Sequence, residues 1–355
     1  MSLGWAEPGA FAGLLVPWQR EHGRRGLPWQ ETRDPYKVWL SEVMLQQTQV
    51  STVLDYFPRF LARFPDVAAL AQGSSDEVMA LWSGLGYYSR ARNLHRCAQM
   101  VVELHGGGFP ATAAELQSLP GIGASTAAAI AAFCFGERIS ILDGNVRRVL
   151  TRVMAFDGDV SQAAPQKQLW NLAQSMLPGH PVDDDMSAYT QGLMDLGATV
   201  CTRSKPACER CPMQGICMGW AGGEPTQFPV KTRKVKRHHE SWWLAVVMSQ
   251  DGAGEKRIWL ERRPDKGIWA GLYCTPVLGD EASANALVPE AVSAPVQQEP
   301  MAHSLTHREL RLHPVVFNDV PEAWAECRVG HWVSRRDLPD WGLPAPLRPL
   351  LNRLG

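Results

Sequence analysis

The hydrophobic period of this chain changes once, and that change divides it. From Ala10 to Gly219 apolar residues recur at three- and four-residue intervals, the spacing that lines one face of a helix. The clearest stretches are Val38–Val50, Glu77–Leu81, Ala91–Leu104, Ala124–Phe135, Val146–Phe156, Lys167–Leu177 and Ser187–Val200. Pro58, Pro65, Gly84-Leu85-Gly86, Gly106-Gly107-Gly108 and Pro178-Gly179-His180-Pro181 punctuate them. Ala221–Pro229 and the basic run Lys231–Arg237 then read as a linker by composition. Beyond it Trp242–Ser249, Lys256–Glu261, Arg311–Phe317 and Val329–Val333 read as strands. Residues 280–300, rich in Ala, Pro and Glu, read as a surface loop, and Leu347–Leu354 as a short closing helix with Pro349 in its first turn. At 355 residues the chain exceeds what one small core accommodates. The expectation is an all-α domain over 1–225, a basic linker over 226–237 and a smaller α+β domain over 238–355, without internal repeats.

Composition narrows the function classes. Hydrophobic residues make up 45% and charged residues 20%, as in ordinary soluble proteins. No apolar run approaches a membrane span, and the first ten residues lack a basic segment followed by an apolar one, so a cytoplasmic protein without membrane association is expected. A net charge of −1 excludes a uniformly basic coat, so any contact with nucleic acid must be local. Basic residues do cluster at Arg90, Arg92 and Arg96, at Arg147, Arg148 and Arg152, and at Lys231–Arg237; the first two clusters read as solvated helix faces. Of eight cysteines, Cys97, Cys134, Cys274 and Cys327 are scattered and read as buried thiols. The other four, Cys201, Cys208, Cys211 and Cys217, follow a helix with the spacing Cys-x6-Cys-x2-Cys-x5-Cys, which suits either zinc or an iron–sulfur cluster.

Two further stretches carry chemistry. Leu119–Gly123 reads LPGIG, a tight hairpin in which Gly121 and Gly123 are free to take positive φ, followed by an alanine-rich helix. Backbone N–H groups left exposed at such a hairpin and helix start hold a phosphate oxygen well; the plain alternative is a structural turn. Asp143 opens the next helix, where an N-cap is its ordinary role. Upstream, Glu42 lies on a helical stretch among Trp39, Leu40, Val43 and Met44. Buried there, a carboxyl group holds its proton near neutral pH; on the outer face of an amphipathic helix it would not.

Taken together, LPGIG, the Asp143-Gly-Asn145 helix start and the cysteine spacing resemble the helix-hairpin-helix DNA glycosylase superfamily. Leu40–Gln49 and Gly84–His95 resemble its MutY branch nearly letter for letter. The C-terminal strings Gly267–Pro276 and His303–Leu310 resemble the MutT-like (Nudix-fold) domain of that branch. The likeness is dense over 25–220 and thinner beyond 240. It implies a multi-domain fold: an all-α helix-hairpin-helix glycosylase domain with an iron–sulfur cluster loop, then an α+β Nudix-like domain. Within the first, a six-helix barrel module would span about 28–136 and the iron–sulfur module about 8–27 plus 137–222.

The resemblance also implies roles. Glu42 would protonate a departing adenine, Asp143 would stabilise the cationic sugar, and Asn145 would hold Asp143 or the sugar. Cys201, Cys208, Cys211 and Cys217 would carry a [4Fe–4S] cluster on a loop whose Arg203, Lys205 and Arg210 face DNA. Trp29, Leu45, Ser125 and Gln191 would form the adenine pocket. Gln47, Thr48, Leu85 and Tyr87 would enter the duplex around an opposite 8-oxoguanine, Gly121 and Gly123 would grip the backbone, and Leu305, Thr306 and His307 would read the oxidised base. Three departures bear on this. Ser125 stands where endonuclease III-like enzymes have a Schiff-base lysine, so strand scission is not expected. Leu305-Thr306-His307 replaces the usual Phe-Ser-His, and the glutamate-rich Nudix box is absent, so no pyrophosphatase activity is expected. The expected partner is double-stranded DNA with an A:8-oxoguanine or A:G mispair, met by a monomer. The alternatives are an endonuclease III-like pyrimidine glycosylase/lyase and a non-catalytic DNA-binding protein of the same fold.

Overall fold

The computed structural model describes residues 9–179, 185–233, 236–252 and 254–354. Three sequence readings touch residues outside these: the first eight positions, the His180-Pro181 break, and Lys234-Val235 within the basic run. The helices are α1 (Ala10–His22), α2 (Pro35–Leu45), α3 (Val50–Arg63), α4 (Val67–Gln72), α5 (Ser75–Trp82), α6 (Ser89–His105), α7 (Ala113–Leu116), α8 (Ala124–Phe135), α9 (Gly144–Val153), α10 (Ala163–Ser175), α11 (Asp185–Asp195), α12 (Met218–Ala221), α13 (Glu281–Asn285) and α14 (Leu347–Arg353). The strands are β1 (His238–Gln250), β2 (Lys256–Arg262), β3 (Tyr273–Cys274), β4 (Val277–Leu278), β5 (Val296–Gln297), β6 (Met301–Ser304), β7 (Arg308–Phe317) and β8 (His331–Ser334). No helix is long and apolar enough to cross a membrane among the described residues.

Packing groups the chain into two units, Met1–Ala71 with Arg96–Lys234, and Gln72–His95 with Val235–Gly355. The second grouping differs from the sequence division, which kept 72–95 with the helical domain. The reason lies in α5 and the turn after it. Ser83 Oγ and Tyr88 Oη both donate to the Leu343 carbonyl (2.8 and 3.1 Å), and Arg92 Nη1 donates to Ala270 O at 2.7 Å. A helical period shows that a segment is helical but not which core receives its apolar face.

In the helical unit α1 packs on α11, α2 on α3 and α8, and α11 on both α8 and α9. The Val38–Val50 helix expected from the sequence ends earlier, at Leu45. Asp34 caps its start through Tyr36 N at 2.9 Å, but Gln46 leaves helical geometry and Gln47 takes φ +57°. A core of Phe11, Leu15, Ile141, Val146, Leu150, Tyr189, Leu193, Leu196 and Met213 fills the space between α1, α8, α9 and α11.

The second unit is built on an eight-stranded sheet ordered β3-β2-β1-β7-β5, with β4 beside β1, β6 beside β7 and β8 beside β2. β1 and β7 run parallel in register from His238↔Arg308 to Val247↔Phe317, and the other pairs are antiparallel. Ala245, Val247, Trp259, Val315 and Phe317 form a core on one face. The expected strands are present; three are longer, β1 beginning at His238 directly after the basic run, and the last is shifted to His331–Ser334. Residues 280–300 are not one loop: Asp280 caps α13 through Ser283 N at 2.7 Å, and β5 pairs with β7. The scattered cysteines divide, with Cys97 and Cys274 buried, Cys134 half-buried and Cys327 exposed.

Candidate active site

Helix α2 is apolar on nearly every side, with Tyr36, Val38, Trp39, Leu40, Val43 and Met44 all buried. Glu42 therefore has apolar neighbours on both flanks, and burial is the chief cause that pushes its carboxyl up to about 8. The negative charge of Asp143 adds to the rise, which puts the two carboxylates within electrostatic reach of each other. Helix packing explains the approach: α2 lies on α8, α8 on α11, and α11 on α9, which Asp143 heads.

Asp143 is the N-cap of α9, accepting from Val146 N at 2.7 Å. Burial raises its pKa, while the backbone N–H groups of Val146 and Asn145 and the charges of Arg148 and Arg147 oppose the rise. The Asn145 side chain points elsewhere, its Oδ1 accepting from Arg148 Nη2 at 2.8 Å. One residue before Asp143, Leu142 N donates to Ser125 Oγ at 3.1 Å. Ser125 thus ties the first turn of α8 to the segment that delivers Asp143.

The hairpin before α8 follows its sequence reading in part. Gly121 takes φ +77°, which a side chain would strain, but Gly123 is extended at φ −82° and serves as the N-cap. Gly123 gives α8 no side-chain cap, so the first-turn N–H groups keep their donor capacity for an anion. Close by, Gln46 Nε2 reaches Thr126 Oγ1 at 3.3 Å, and the turn after α2 holds Thr48 N on Leu45 O at 3.2 Å. Gln47 is exposed there, and Leu45 half-buried. Trp29 is buried edge-on against Phe57, with ring centroids 5.4 Å apart. Gln191, on α11, donates to Asp195 at 2.8 Å.

Past α11 a single π turn, Leu196–Val200, delivers Cys201 with its N–H on Leu196 O at 2.7 Å. Gly197 permits this, because a Cβ there would stand 2.7 Å from Asn145 Cβ. Cys201, Cys208, Cys211 and Cys217 are unpaired and line one cavity together with Val149, Arg152, Leu196 and Met213. Four thiols spread around one cavity suit a multi-iron cluster. Burial pushes the Cys211 thiol up to about 12, so thiolates here need a cationic partner such as iron.

Arg152 was not among the residues expected to matter to this loop. It is 2% exposed, and its guanidinium donates to Thr202 O (2.7 Å), Arg203 O (2.9 Å), Phe228 O (3.1 Å) and the Cys201 sulfur (3.4 Å). Arg148 likewise holds Cys201 O at 2.8 Å and Gly197 O at 2.6 Å. The basic cluster read as a solvated helix face therefore turns two of its arginines inward, onto carbonyls that only the folded loop gathers. Arg90 is similar: it is buried, donating to Leu85 O at 3.1 Å and Gly86 O at 3.3 Å.

In the second unit Tyr87 and Leu85 part company. Tyr87 is 43% exposed with φ +48°, whereas Leu85 is buried. Tyr87 Oη lies 3.3 Å from Thr306 Oγ1. The 304–308 turn joins β6 to β7, closed by Leu305 N on Arg308 O at 2.8 Å, and it exposes Thr306 and His307 at its tip. Two sequence stretches more than 200 positions apart thus form one surface.

Residues 40–175 match the HhH-GPD superfamily base excision DNA repair protein family, 201–217 the iron–sulfur binding domain of endonuclease III, and 244–353 the NUDIX domain. The chain carries the [4Fe–4S] cluster of that motif. It is 32% identical over 350 residues to an adenine DNA glycosylase of Buchnera aphidicola subsp. Schizaphis graminum, covering 96% of this chain and 98% of that one. It is 38% identical over 330 residues to an adenine DNA glycosylase of Homo sapiens, covering 78% and 59%. A thermostable thymine-DNA glycosylase superposes with a TM-score of 0.52 at 27% identity, over 60% of this chain and 95% of that one. By the full-length likeness and the three family matches, the chain belongs to the adenine DNA glycosylase family.

Proposed function

We propose that the protein removes adenine from double-stranded DNA by hydrolysing its N-glycosidic bond, with Glu42 and Asp143 as the reacting pair. The observation that carries this is Glu42, set among the apolar side chains of its helix, whose carboxyl is pushed up to about 8 by desolvation and by the charge of an aspartate held by backbone donors. Glu42 gives that proton to a ring nitrogen of adenine as the bond from the base to the sugar breaks. Asp143 faces the electron-poor sugar as an anion. Water then adds to the sugar and its proton returns to Glu42, leaving an abasic site. Ser125 has no amine to form a Schiff base, so the strand is left uncut.

Cys201, Cys208, Cys211 and Cys217 would hold the [4Fe–4S] cluster, which when bound ties the 201–217 loop to α9 and brings Arg203, Lys205 and Arg210 toward the DNA backbone. Trp29, Leu45 and Gln191 wall the base pocket, and Gln47, Thr48 and Tyr87 occupy the duplex. Thr306 and His307 read 8-oxoguanine opposite the adenine, which makes A:8-oxoguanine and A:G mispairs the substrates. On this reading the enzyme is a cytoplasmic monomer.

The test is single-turnover excision on an A:8-oxoguanine duplex. Wild type should yield an abasic site cut only after alkali, and Glu42→Gln should lose about 10²–10⁴-fold in rate while still binding the duplex. A glutamine variant that excises at the wild-type rate would remove Glu42 as the acid.

A further inference from the structure

Asp195 is fully buried at the end of α11 and takes no part in the chemistry above. It accepts from Arg24 twice, from Nε on Oδ1 at 2.6 Å and from the backbone N–H on Oδ2 at 3.0 Å. Paired with a guanidinium and a backbone N–H in this way, the carboxyl presents both oxygens as acceptors. Gln191, one helical turn earlier, brings its Nε2 to the same Oδ1 at 2.8 Å. An isolated glutamine amide can present either end, but this one cannot: the amino end is committed to Asp195, which leaves the carbonyl Oε1 as the free end.

We propose that Asp195 is a positioning residue that fixes which end of the Gln191 amide meets the extrahelical base, and so selects a purine carrying an exocyclic amino group over one carrying a keto oxygen. The inference rests on the base-pocket reading of Gln191. An amino group at the six position donates to Oε1. A keto oxygen there would set acceptor against acceptor, and the amide cannot turn over to relieve it without breaking its bond to Asp195. Arg24 holds Asp195 in place through both of its oxygens, so selection against keto purines is built two residues deep.

The experiment compares single-turnover release of adenine and hypoxanthine from otherwise identical duplexes, using the full-length protein. Wild type should favour adenine. Gln191→Met keeps the side chain's bulk without the acceptor and should reduce the adenine-to-hypoxanthine ratio about tenfold. Asp195→Asn should reduce it by a similar factor, because the amide is then free to turn. In the Gln191→Met background Asp195→Asn should leave the ratio where the methionine variant put it, an outcome that general loosening of the fold would not give. If Asp195→Asn does not fold, Asp195→Glu keeps the charge for Arg24 but displaces the carboxylate by a methylene, and should lower the ratio in the same direction. Failure of wild type to release adenine would defeat the base-pocket reading itself. Normal release with a ratio insensitive to Asp195, or a further loss in the double variant, would overturn the positioning role alone.

Discussion

Glu42 makes the sharpest prediction at the scale of a single residue. As the proposed acid the group acts only while protonated, so excision should proceed below about pH 8 and fall as pH rises through that value. A pH–rate profile under single-turnover conditions checks this, and the alkaline limb should be absent from Glu42→Gln. Stability carries the same signature. Unfolded, the carboxyl ionises near its ordinary value of 4.5; folded, it does so near 8. Between those values the folded chain holds the extra proton, so the wild type loses stability with rising pH where Glu42→Gln does not. The melting temperatures of the two should converge near pH 4.5 and separate, glutamine above, toward pH 8. Asp143 offers the complementary case. Asparagine caps a helix about as well as aspartate, so Asp143→Asn should keep the bond to Val146 N and melt within about 1 kcal/mol of wild type. It lacks the charge, so excision should still fall by orders of magnitude; a rate near wild type would show that the cap alone was the residue's role.

At the scale of an element, α9 connects the two halves of the helical unit's chemistry. Its first residues hold Asp143, and its last turn carries Arg152, whose side chain reaches the cluster loop and the start of the linker. Removing a buried arginine takes the donor from the carbonyls of Thr202, Arg203 and Phe228 and from the Cys201 sulfur, at a cost on the order of 3–5 kcal/mol. Arg152→Met should therefore yield protein with less iron and sulfide per chain than wild type and a lower melting temperature, read by metal analysis and calorimetry. Full cluster content in that variant would show that the loop closes without it. The same helix explains why arginine clusters mislead. Arg147, Arg148 and Arg152 read as a solvated helix face when only their charge and spacing are known. The carbonyls of Gly197, Cys201, Thr202, Arg203 and Phe228 that claim two of them come from 49 to 76 positions away.

For the whole molecule, the grouping of 72–95 with the C-terminal unit changes how that unit should be probed. A chain ended near Gln227 would lose more than the β-sheet, because Ser83 and Tyr88 would lose their acceptor on Leu343 and Arg92 its acceptor on Ala270. Such a truncation would confound reading with folding. Thr306→Ala together with His307→Ala, in the full chain, separates them, since both side chains are exposed at a turn closed by backbone. Each lost contact to a base edge is worth about 1–3 kcal/mol of discrimination. Since Leu305 offers no aromatic surface to compensate, the preference for 8-oxoguanine over guanine opposite adenine should fall at least about fivefold. An unchanged ratio in binding and single-turnover measurements would remove the loop from the reading.

Local chemistry settled much of this in the sequence. Helical and strand periods, the cysteine spacing, the turn at Gly121, the cap at Asp143 and the apolar flanks of Glu42 each depend on neighbours within a few positions, and each is present in the structure. What the sequence left open was decided by contacts between distant positions. The end of α2 at Leu45, the pairing of β5 with β7, the inward turn of Arg148 and Arg152 and the union of 72–95 with the sheet all depend on partners no local pattern specifies. The Glu42 carboxyl spans both cases. Its apolar flanks are written in α2, but the charge that raises it further belongs to Asp143, about a hundred positions away, and only packing through α8 and α11 brings the two within reach.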